Sequence, residues 1–305
     1  MNLYEYSTPA AECETWLTRT TASYRRYQVR LPALPLPAYA GEPGPWGECY
    51  LPRSEDAHPL VIVVHGMGDP SVIPCRFMAL NLARRGLAAF ILYLPFHSSR
   101  VPEHIKGRFP ALSSEEWDDV YPASVINVRQ AIDWAQHQES INADRIGVAG
   151  VSLGGMISAI AMAVDPRIKA GVFMLSGGDW EQMTWKSWSR TARMSQNCSR
   201  EDCRRIRRQY PAFLARVAET GLDGVTAPRR CFFTDPLTYG RALHGRPILM
   251  INALWDRIVP RQCAEQLWQA CGEPAIMWLP ATHITLFLWY PLIVRRMLAF
   301  LHSTL

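Results

Sequence analysis

The chain has 305 residues, 49% of them hydrophobic and 19% charged, with a formal net charge of +5. That composition allows a large buried core, in one large α/β domain or two small ones. The positive excess is too mild and dispersed to argue for nucleic acid, and no uninterrupted apolar run reaches the ~18 residues that a transmembrane helix needs.

The start, Met1-Asn2-Leu3-Tyr4-Glu5-Tyr6, lacks a basic stretch followed by an apolar run, so no export signal is read there and a cytoplasmic setting is expected. The eight cysteines (13, 49, 75, 198, 203, 231, 263, 271) form no C-x-x-C pair of a zinc site. They read as mostly reduced thiols, with Cys198–Cys203 or Cys198–Cys231 as possible bridges.

In chain order, Ala11 to Leu17 reads as a peripheral helix and Tyr24 to Leu31 as an edge strand. Pro32, Pro35, Pro37, Pro43 and Pro45 make a rigid connection, and Trp46 to Leu51 is a short strand. Leu60-Val61-Ile62-Val63-Val64 is the clearest strand: continuous, β-branched and bounded by turn residues, as a strand buried on both faces should be. Pro74 to Arg85 follows as a helix closed by Gly86, then a buried strand at Leu87 to Leu94 and a polar loop at 98–112. Trp117 to Gln138 reads as a long amphipathic helix, Arg145 to Ala149 as a strand, and Gly155 to Ala163 as a helix. Ile168 to Leu175 is again a strand. This alternation predicts a mostly parallel sheet of about eight strands with helices on both faces. Its active site is expected beyond the carboxyl ends of the strands.

Between Gly177 and Asp235 the alternation stops. The stretch is rich in Trp180, Trp185, Trp188 and Arg, with helical pieces around 200–218, and reads as an inserted cap. Strand (Arg246 to Ile251), helix (Pro260 to Ala270), strand (Ala275 to Leu279) and a C-terminal helix (Ile284 to Phe300) then complete the order. The expected division is an N-terminal arm with edge strands at 1–59, a core at 60–176 and 236–305, and the cap at 177–235.

The stretch Gly150-Val151-Ser152-Leu153-Gly154 lies between a buried strand and a helix. Glycines remove side chains where the turn and the helix start come close. This leaves the Ser152 hydroxyl at the tip of a strained turn, near the positive end of a helix dipole. Alternatively, Ser152 merely caps the helix. A serine hydroxyl needs a base, and the base needs an acid to hold its tautomer. Asp256 follows one strand and His283 the next, each on the side of the sheet where Ser152 lies. Asp179, after the Ile168 strand, is an alternative acid. His58, His137, His244 and His302 read as surface residues. The oxyanion donors are expected at the N–H of Leu153 and in the loop His65-Gly66-Met67-Gly68, with Met67 first and Gly66 as its alternative. His65, His97, Trp180, Trp185 and Trp255 are candidates for the pocket wall. The arginines at 190, 193, 200, 204, 205, 207 and 208 read as a solvated helix face, or as a selector of anionic substrates or acidic partners.

Together Val63-Val64-His65-Gly66-Met67-Gly68, Gly150-Val151-Ser152-Leu153-Gly154-Gly155, Leu254-Trp255-Asp256-Arg257-Ile258-Val259-Pro260 and Ala281-Thr282-His283 resemble the α/β-hydrolase superfamily over residues 60–300. Within it the chain resembles the dienelactone hydrolase-like and acetyl esterase-like groups, although dienelactone hydrolases proper carry cysteine where this chain has Ser152. Relatives also have Gly-His where this chain has Thr282-His283, and the lipase His-Gly-Gly-Gly loop is absent. The resemblance implies a serine esterase with a Ser152–His283–Asp256 triad, acting on a small-molecule ester without metal or organic cofactor. A non-catalytic binding protein of the same fold, a thioesterase, a peptidase or an acyltransferase stays open. No nucleic-acid partner and no stable membrane insertion are expected, and the sequence does not give the oligomeric state.

Overall fold

The computed structural model describes residues 3–6, 13–33, 44–68, 72–97, 100–101, 114–189 and 198–305. Pro35, Pro37 and Pro43, most of the polar loop at 98–112, and Arg190 and Arg193 lie outside them. The strands are β1 (Glu14–Thr20), β2 (Tyr24–Arg30), β3 (Trp46–Pro52), β4 (His58–Val64), β5 (Ala88–Leu92), β6 (Ile141–Val151), β7 (Ile168–Met174), β8 (Ile248–Ala253) and β9 (Ala275–Leu279). They form one sheet in the order β1-β2-β3-β5-β4-β6-β7-β8-β9. Pairing is antiparallel from β1 to β5 along that order and parallel from β5 to β9.

Side chains of a strand alternate between faces, and β4 shows what each face meets. Val61 and Val63 pack with α1 (Val72–Ala83) and the last helix, α9 (Tyr290–Thr304). Leu60, Ile62 and Val64 pack with α2 (Ser114–Ala135) and α3 (Leu153–Val164). Every residue of β4 is buried, as the unbroken apolar run requires of a parallel strand covered on both sides.

Residues 177–235 lie between β7 and β8. They include α4 (Trp180–Lys186), α5 (Arg200–Arg207), α6 (Tyr210–Thr220) and α7 (Cys231–Thr234). Tyr210, Phe213 and Phe232 form a small apolar core of their own. A 3-10 helix, Pro236–Leu243, leads back to β8, and α8 (Arg261–Ala270) joins β8 to β9.

The structure corrects several expectations. The stretch read as an N-terminal helix is strand β1 from Glu14 on, a ninth strand. Thr15, Thr18 and Thr20 are β-branched, and β2 offers an edge on which Glu14 to Thr20 pair. The C-terminal segment is not one helix. A 3-10 turn, Thr285–Trp289, precedes α9, which takes Pro291 into its first turn, where a missing N–H costs nothing. His58 is buried, its ring held by Gly86 O and Ser54 Oγ at 3.0 Å each. Cys198 and Cys203 are disulfide-bonded beside the start of α5; the six other cysteines are free thiols. Among the described residues, no helix is long and apolar enough to cross a membrane.

Candidate active site

Ser152 stands between β6 and α3 with φ 54° and ψ −118°, a conformation that side-chain-bearing residues rarely adopt. Its neighbours hold it there. The Ser152 N–H donates to Met174 O at 2.8 Å, and its carbonyl accepts from Gly155 and Met156. A Cβ on Gly150 would stand 2.1 Å from Gly154 O, and one on Gly154 would stand 2.1 Å from Val64 O. Only glycine permits so tight a turn. The Ser152 side chain makes no capping bond to α3.

Instead, the Ser152 hydroxyl lies 3.1 Å from His283 Nε2, and His283 Nδ1 lies 2.7 Å from Asp256 Oδ2. The other oxygen, Asp256 Oδ1, accepts the N–H groups of Ile258 and Val259 at 2.8 and 2.9 Å. An ionised carboxylate only accepts, so Nδ1 carries the ring proton and Nε2 is left to accept from the serine. The three residues come from the ends of β6, β8 and β9. Asp179, the alternative acid, is engaged elsewhere: it caps α4 at Gln182 N–H and pairs with Arg207 at 3.3 Å. Burial raises its pKa, with Arg207 opposing.

Ser152, Leu153, Gly66, Met67 and His283 share a cavity of about 620 Å³. Leu153 opens α3, where backbone N–H groups have no partner within the helix. His65 is fully buried behind the Gly66 loop rather than in the cavity wall. Its Nε2 accepts from Leu94 N–H at 3.0 Å, so Nδ1 bears the proton and donates to Gly66 O at 2.7 Å. The Gly66–Met67 peptide is trans. With its carbonyl held toward His65, the Met67 N–H points the opposite way.

Of the other wall candidates, Trp180 lines the cavity and Trp185 does not. Trp255 is 61% exposed and outside it. His97 is buried beside His65, ring centroids 5.0 Å apart, also off the cavity. Its Nδ1–H donates to Pro95 O at 2.8 Å, and burial pushes its pKa down to about 4. None of the described arginines lines the cavity. Arg207 is no freely solvated residue: it is half-buried between Asp179 and Asp235, at 3.3 and 2.8 Å, with its guanidinium 3.5 Å from the Tyr210 ring centre. Asp235, fully buried, also accepts the N–H groups of Asp179, Trp180 and Leu237. That cluster, which the sequence reading missed, fixes the start of α4 and with it Trp180. Cys231 is a cavity thiol raised to about 11 by burial, hence protonated near neutrality. Among the described residues, no group of three or more His, Cys, Asp or Glu is placed to hold a metal ion.

Residues 59–197 match the α/β-hydrolase fold family. An uncharacterized protein of Mycobacterium tuberculosis (strain ATCC 25618 / H37Rv) is 26% identical over 254 residues, which is 81% of this chain and 54% of that protein. The chain spans about half the length of the curated relatives it matches. Among solved structures, an acetyl xylan esterase from Paenibacillus sp. R4 superposes with a TM-score of 0.68 at 18% identity, covering 96% of this chain and 89% of that one. A puromycin-hydrolyzing peptidase of Mycobacterium tuberculosis gives 0.65 at 16% identity, covering 94% and 40%. At such identities the likeness is one of fold. The chain has the α/β-hydrolase fold.

Proposed function

We propose that the chain is a serine hydrolase that cleaves a carboxylic ester through an acyl-enzyme intermediate. The observation that carries this reading is the hydrogen-bonded chain from Ser152 through His283 to Asp256, with Ser152 on the wall of an apolar cavity. A binding protein would have no physical need of a serine held in a strained turn against a half-buried imidazole paired with a buried carboxylate.

In this mechanism Ser152 Oγ attacks the ester carbonyl while His283 Nε2 takes its proton. Asp256 holds the Nδ1 proton and stabilises the imidazolium. The developing oxyanion is held by the N–H groups of Leu153 and Met67; the His65 contact to Gly66 O sets the direction of the second donor. The imidazolium then protonates the leaving alcohol. His283 next takes a proton from water, which attacks the acyl carbon and releases the acid and the free serine. Esterases and peptidases both occur among the structural neighbours.

Labelling with a fluorophosphonate tests the reading, with wild type beside Ser152→Ala. Wild type should label, and Ser152→Ala should not. Folded wild type that fails to label overturns it. A matched phenyl ester and anilide then separate esterase from peptidase: the ester should be the faster by far.

A further inference from the structure

Two rows of large apolar side chains leave the mouth of the cavity and remain exposed. Ile73 and Phe77, four residues apart, lie on one face of α1. Ile284, Leu288 and Leu292 form the second row along the 3-10 turn and the start of α9, with Ile284 75% and Leu288 82% exposed. The rows run side by side. The Phe77 and Tyr290 ring centroids are 6.1 Å apart, and the Tyr290 hydroxyl donates to Pro74 O at 3.1 Å.

Strip and cavity are continuous, because Ile73 and Ile284 each line the cavity too. No charged residue occurs from Ile284 through Val294. On α1 the one charge, Arg76, is bound by Glu48 and the Tyr93 hydroxyl. Scattered exposed apolar residues need no explanation, but a double row running out of a cavity does. At the rises of a 3-10 turn and an α-helix, Ile284 to Leu292 spans roughly 14 Å.

We propose that this strip takes the distal part of a long acyl chain whose carbonyl lies at Ser152, so that the substrates are esters of long-chain fatty acids. The inference rests on the serine-hydrolase reading. It extends the acyl site beyond the cavity: the chain runs out along the two rows and covers side chains that otherwise face water.

The test is kcat/KM on p-nitrophenyl butyrate, octanoate and laurate, each below its critical micelle concentration. The proteins are wild type and the double variant Leu288→Ser/Leu292→Ser, both positions exposed enough to leave folding alone. Wild type should prefer laurate to butyrate by about tenfold or more, the worth of a few partly buried methylenes. The double variant should lower that ratio at least about fivefold while still labelling with the fluorophosphonate. If wild type labels and hydrolyses esters but shows no laurate preference, the strip is overturned and the hydrolase reading stands. A preference that emerges only above the micelle concentration also overturns it, in favour of adsorption to a lipid surface. So does an unchanged ratio with a dimer turned into a monomer, which makes the strip an interface between copies. Absence of labelling in wild type would overturn the hydrolase reading itself.

Discussion

At the scale of single residues, the candidate site depends on a backbone that only its neighbours permit. The positive φ of Ser152 costs about 1–3 kcal/mol, and the bonds to Met174, Gly155 and Met156 hold it. Gly154→Ala would drive a Cβ to within 2.1 Å of Val64 O, where no flexible side chain can yield. We expect a loss of about 3 kcal/mol in urea denaturation and no labelling of Ser152. Gly86→Ala makes the contrast. Gly86 shares a positive φ but has open space around it, so the loss there should be about 1–2 kcal/mol, with labelling kept. His97 gives a pH dependence whose sign follows from burial. In the unfolded chain it takes a proton near the ordinary value of 6.5, in the fold only near about 4. Between those values the unfolded state binds more protons, so stability present above pH 6.5 is lost as pH falls toward 4, by up to about 3 kcal/mol. His97→Gln should flatten the urea midpoint over that window. An equally steep fall in wild type and variant would show that other groups carry it.

At the scale of elements, the segment between β7 and β8 is pinned by a half-buried cation between two buried carboxylates. Arg207 bridges Asp179 and Asp235, and Asp235 in turn holds the first residues of α4. Arg207→Met should cost about 3–5 kcal/mol, because two carboxylates are left buried without their cation. The loss should register as faster hydrogen exchange in α4 to α7 than in β4 and β6. Equal acceleration everywhere would mean that the segment has no separate stability. This cluster was not legible in the sequence. Arg207 sits among other arginines, and Asp235, which pairs with it, is 28 residues away; neither charge nor period joins them. β1 was misread because a few apolar residues at Ala11 to Leu17 fit a helix as well as a strand, and the edge of β2 decided. By contrast, the alternation from residue 60 onward was legible, since strands buried on both faces leave continuous apolar runs. So was the placement of Ser152, Asp256 and His283, each just past the end of a strand.

At the scale of the whole molecule, the sheet order explains both what the site is and what could not be read. β4 and β5 exchange places relative to the chain, which brings α1 against α9 and creates the exposed double row. No local pattern encodes that neighbourhood. The three site residues hang from β6, β8 and β9, so their 3.1 and 2.7 Å contacts exist only when the parallel half of the sheet is assembled. A displacement of about 1 Å in such an array is enough to cost a hundredfold in rate. Apart from β9 and the first residues of β6, the parallel strands are largely buried, and they should unfold as one unit. Loss of Ser152 labelling should therefore coincide with loss of tryptophan fluorescence along a urea titration. Strand β1 lies outside that unit: it is exposed along its whole length and, among the described strands, pairs with β2 alone. Leu17→Pro, which disturbs only that edge, should shift the urea midpoint slightly and leave the labelling rate within about twofold, as surface substitutions generally do. If the variant instead labels tenfold more slowly at unchanged midpoint, then the antiparallel edge is coupled to the serine turn through β3 and β5, and the reactive geometry is a property of all nine strands rather than of the parallel ones.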